Sequence, residues 1–77
     1  MARVRSLTQS QGDSRVHPTE VDCTWQVVRS AGGDVLLQLS TYGSDGRQSQ
    51  PKVSQTIQLD RAAGAQLLRI LEDTFGL

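Results

Sequence analysis

The chain predicts an α+β fold: a three- to four-stranded antiparallel sheet, connected as a meander, followed by one C-terminal helix packed on one face. Three observations carry that expectation. Apolar and polar residues alternate from Val21, from Val35 and from Lys52, which is the period of a half-buried strand. Punctuation rich in glycine, serine and aspartate separates those runs, at Ser30–Asp34 and at Gly43–Gly46. After Asp60 the apolar residues recur at three- and four-residue spacing, the period of a helix with one covered stripe.

Residues 1–18 are rich in Ser, Gln, Arg and Gly and show no sustained periodicity. They read as a flexible tail or a loosely attached edge segment. Residues 19–77 read as a single binding domain. Pro18 has no amide to donate, so a strand begins after it rather than running through it. Val21, Cys23, Trp25 and Val27 then alternate with Asp22, Thr24, Gln26 and Val28. Ser30-Ala31-Gly32-Gly33-Asp34 supplies a hairpin connection, since glycine takes positive φ without a steric cost. The next strand carries Val35, Leu37 and Leu39 on one face and Gln38, Ser40 and Tyr42 on the other.

Gly43-Ser44-Asp45-Gly46 signals a turn, and the chain stays polar to Pro51, a connection longer than a tight hairpin needs. Alternation resumes from Lys52, with Val53, Ile57 and Leu59 on one parity and Ser54, Thr56 and Gln58 on the other. Gln55 breaks the apolar parity and predicts an edge-like or bulged start to this strand. Asp60 stands where a helix N-cap belongs. Gly64, Leu67, Leu68, Leu71 and Phe75 form the stripe expected to face the sheet, with Ile70 beside it, and Gly76 closes the helix. The odd-numbered strand positions are thus expected to pack under the helix. The even-numbered ones form an uncharged face of amides and hydroxyls.

Seventy-seven residues make one domain. A chain this short buries a modest fraction of its surface, and self-association is a common remedy. Cys23 is the single cysteine, so no disulfide forms within the chain. It reads as a small core residue in a reduced compartment. Arg3 and Arg5 precede no apolar run, and no stretch approaches membrane-spanning length. A cytoplasmic homodimer with no membrane association is the expectation.

Eight basic and eight acidic residues cancel, so no basic stripe announces a phosphate backbone. Enzymatic chemistry is not expected either. His17 is the single histidine and has no nucleophile or carboxylate at fixed spacing. One Cys and one His do not make a zinc site, and the Gly43–Gly46 turn lacks the lysine of a phosphate cradle. Asp45 and Asp60 read as turn and cap residues. No cofactor and no metal are expected.

From about Thr24 to Leu71 the chain resembles the positive-cofactor-four-like transcriptional coactivators, small dimeric single-stranded DNA-binding domains. Val35-Leu36-Leu37-Gln38-Leu39-Ser40-Thr41-Tyr42 is similar to that family's second strand, which also ends near an aromatic. The Val35-to-Ile57 spacing and the Ile57-Gln58-Leu59-Asp60 approach to the helix are similar as well. The resemblance implies a curved antiparallel sheet, dimerisation through the C-terminal helix and a nucleic-acid channel formed by strands and loops. The chain departs from the family at Ser40, where a basic residue is usual, and at Gln55-Thr56, where a basic-glycine pair is usual. Gly43 also replaces a second aromatic.

The expected ligand is single-stranded nucleic acid. Gln38, Ser40 and Thr56 would offer hydrogen bonds, Tyr42 a stacking plane, and Arg29, Arg47 and Lys52 phosphate contacts. The alternative is a protein-interaction module using a sheet edge or the helix surface. A ribbon-helix-helix regulator built from Val53 to Phe75 is disfavoured, because two strands precede it and a second helix is missing.

Overall fold

In the computed structural model, which describes residues 1–43 and 52–77, four strands and one helix follow in the order β1 (Ala2–Arg3), β2 (Cys23–Arg29), β3 (Val35–Tyr42), β4 (Val53–Leu59) and α1 (Arg61–Phe75). The strands form one sheet in the order β1-β4-β3-β2. The three long strands make the expected antiparallel meander. The fourth comes from the N-terminal residues: β1 pairs parallel with β4, Ala2 opposite Ile57 and Arg3 opposite Gln58, so the sheet is mixed. Val4 continues the attachment by donating its amide to Gln58 O at 2.8 Å. Two strand residues carry no readable period, which is why the sequence gives no strand signal here. Among the described residues β2 is left as the long free edge.

The β2–β3 hairpin closes as its composition dictates. Ser30 N donates to Asp34 O at 2.8 Å and Asp34 N to Ser30 Oγ at 3.0 Å. Gly33 takes φ 92°, which a side chain would strain. β4 is bulged where Gln55 breaks the pattern. Thr41 faces Gln55 while Tyr42 faces Val53, so Ser54 is the extra residue. The bulge moves Val53 out of the parity of Ile57 and Leu59.

The helix is capped at both ends. Asp60, with extended backbone, accepts from Ala63 N through Oδ1 at 2.9 Å. Gly76 ends the helix in the left-handed conformation at φ 69°, its amide bonded to Glu72 O. The expected seating of this helix is not what the structure shows. Ala63 is buried and Gly64 and Leu67 are half-buried, but every later residue of α1 is exposed, Leu68, Ile70, Leu71 and Phe75 included. The helix meets β3 and β4 through its first two turns.

The expected apolar core is corrected accordingly. Of the odd-numbered strand residues only Leu59 is buried, and Leu39 is half-buried. Val21, Trp25, Val27, Val35, Leu37, Val53 and Ile57 are exposed, Trp25 at 71%. Cys23 is exposed too, and not a core residue. The buried apolar residues are Leu36, Leu59 and Ala63, gathered where the chain leaves β4 for α1. Among the described residues no side chain is fully enclosed. The chain exposes 7161 Å², against about 4,600 Å² for a compact monomer of its mass. Its radius of gyration is 14.8 Å, against about 11.5 Å for that length. The physical reason is one of supply: a single helix that meets the sheet through two turns covers little of it, and the even-numbered face, with Leu36, Ser40 and Thr56 buried, is the more covered of the two, the reverse of the expectation.

Candidate nucleic-acid interface

Strand register arranges the polar face into transverse rows. Thr24, Ser40 and Thr56 stand abreast across β2, β3 and β4, and Gln26, Gln38 and Gln58 form the next row. Partners directly opposite in a sheet point to the same side and meet at van der Waals distance. The rows are accordingly cross-linked. Ser40 Oγ and Thr56 Oγ1 share a 3.0 Å hydrogen bond. Gln58 Nε2 donates to Gln38 Oε1 at 2.9 Å. Thr24 Oγ1 and the Tyr42 hydroxyl lie 3.0 Å apart and share a third bond.

Burial divides these residues. Ser40 and Thr56 are 6% and 8% exposed, so these two expected ligand contacts are buried rather than open. Gln38, Gln58 and Tyr42 are half-buried, and Thr24 is exposed. Among the described residues every buried side-chain polar atom has a hydrogen-bond partner. The face therefore offers a ligand the outer atoms of the glutamines and the ring of Tyr42, while the central hydroxyls hold one another.

The predicted cations are not gathered with the rows. Arg29 ends β2 opposite Val35, on the parity of Trp25 and Val27, so it belongs to the apolar face. Lys52 is exposed just before β4, its carbonyl accepting from Gly43 N at 3.1 Å beside Tyr42. Arg47 and the Gly43–Gly46 turn beyond Gly43 lie outside the described residues. One cation that the sequence did not single out joins the face instead. Arg3 faces Gln58 across the β1–β4 pair and extends the glutamine row by one strand. Its Nη2 lies 3.7 Å from Asp60 Oδ2.

Among the described residues no group of three His, Cys, Asp or Glu is placed to hold a metal ion. No helix there is long and apolar enough to cross a membrane. Comparison with protein-family models, with curated proteins and with solved structures finds no match for this chain.

Proposed function

We propose that this chain is a non-enzymatic single-stranded nucleic-acid-binding protein that works as a homodimer. The observation that carries the reading is the division of the sheet into two unlike faces. One presents a row of amides and a row of hydroxyls with Tyr42 beside it, groups that meet bases and sugars without a charge requirement. The other presents Trp25, Val27, Leu37 and Ile57 to solvent, and exposed apolar residues gathered on one face mark an interaction surface.

A second copy of the chain is the natural cover for that apolar face. Stable dimers bury roughly 2,000 Å² or more in total. The chain exposes more surface than a compact monomer of its mass, in residues 8–22 as well as on this face. The exposed apolar residues of α1, ending in Phe75, offer further surface for a dimer interface that includes the helix. The resemblance to the positive-cofactor-four-like coactivators supports the same pairing of a dimer with single-stranded DNA, in a transcription-associated role.

The test is a fluorescence-anisotropy titration with labelled oligonucleotides at low salt, paired with light scattering for mass. Single strands should bind, duplex should bind less, and affinity should fall as salt rises. Absence of binding at tens of micromolar retires the ligand. The exposed Trp25 on the free edge strand favours one other reading, a protein-interaction module. A chain that stays monomeric and captures one stoichiometric protein despite nuclease treatment would select it.

A further inference from the structure

We propose that β1 carries the phosphate anchor of this protein, with Arg3 as its principal contact and Arg5 beside it. The inference rests on the nucleic-acid reading above and assigns the cation that reading lacks. Among the described strand residues, Arg3 is the only cation that register puts on the polar face, in line with Gln26, Gln38 and Gln58. Arg29 stands on the opposite face.

The setting of Arg3 suits a phosphate. Its side chain is 61% exposed. Its ion pair with Asp60 runs through one nitrogen at 3.7 Å, well beyond the roughly 2.7–2.9 Å of a charge-assisted hydrogen bond. The other Asp60 oxygen is committed to the helix cap. Asp60 therefore leaves the guanidinium largely uncommitted, because exposed pairs of this length contribute little. The remaining donors are those of a planar fork that matches phosphate oxygens in pairs. Arg5 and Ser6 line the same open hollow as Arg3 and Asp60. The Val4–Gln58 hydrogen bond keeps the backbone on β4 up to that point. A strand of nucleic acid crossing the glutamine row would find a partner for its backbone charge at the β1 side of the sheet.

The experiment compares the wild type with Arg3→Gln/Arg5→Gln in anisotropy titrations of labelled oligodeoxythymidylate over a series of salt concentrations. Arg15→Gln, in an exposed residue outside the sheet and helix, is the control. The double variant should bind about tenfold more weakly, a loss of about 1.4 kcal/mol. Its log–log salt slope should fall by about 0.7 for each phosphate contact removed, with the control unchanged. If the double variant melts early, Arg5→Gln alone carries the test, expected to lower the slope by about 0.7. A wild type that binds, with variants of the same affinity and slope, overturns the anchor and leaves the ligand standing. A wild type that does not bind overturns both.

Discussion

Ser40 and Thr56, neighbours across β3 and β4, satisfy each other through a 3.0 Å hydroxyl pair in the most shielded part of the polar face. Removing one member leaves the other shielded without a partner, which costs about 1–3 kcal/mol. Replacing both by apolar groups of similar shape removes the penalty. Ser40→Ala alone should therefore lower stability by about 1–2 kcal/mol, and Ser40→Ala/Thr56→Val by clearly less than the sum of the singles. A urea-melt double-mutant cycle measures this, and additive losses would contradict it.

Asp60 does two things, capping α1 and pairing with Arg3. The cap dominates, since an N-cap aspartate replaced by alanine costs about 1 kcal/mol and an exposed ion pair well under that. Asp60→Ala should destabilise by about 1 kcal/mol, whereas Asp60→Asn, which keeps the acceptor, should stay near wild type. Thermal melts followed by circular dichroism separate the two; equal losses would give the ion pair the larger share.

Trp25 is the single tryptophan and stands on the apolar face. In a dimer covering that face its emission should shift to the blue as concentration rises, and light scattering should report twice the chain mass. Trp25→Glu should give a monomer with the emission signal lost. A wild type of monomer mass at all concentrations would remove the dimer.

Tyr42 ends β3 half-buried with its hydroxyl on Thr24. Stacking of one base on such a ring is worth about 1–3 kcal/mol. Tyr42→Ala should weaken oligonucleotide binding by roughly ten- to a hundredfold, and Tyr42→Phe, which keeps the plane, by much less. Equal losses in the two variants would assign the effect to the Thr24 hydrogen bond.

The local chemistry of the sequence was legible. Alternation at Cys23–Arg29, Val35–Tyr42 and Val53–Leu59, the Asp60 cap, the Gly76 stop and the irregularity near Gln55 each have a short-range cause. What escaped was decided at longer range. Periodicity says that Trp25, Val27 and Leu37 share a side, but not whether anything lies over them. Helix spacing identifies the stripe of Leu68, Leu71 and Phe75 without saying how far α1 stays near the sheet. Ala2–Arg3 is too short for a period, so the contribution of Arg3 to the polar face became visible only through its pairing with β4. The seclusion of Ser40 and Thr56 is likewise something alternation alone does not give.

The open edge of β2 has one more consequence. Among the described residues no strand neighbours its outer side, so backbone amides there should trade hydrogen for deuterium quickly while those of β3, flanked on both sides, hold theirs. Assembly face to face through Trp25 leaves that contrast intact. Assembly that zips two edges into a continuous sheet would erase it, so exchange rates along this one strand tell the two geometries of association apart.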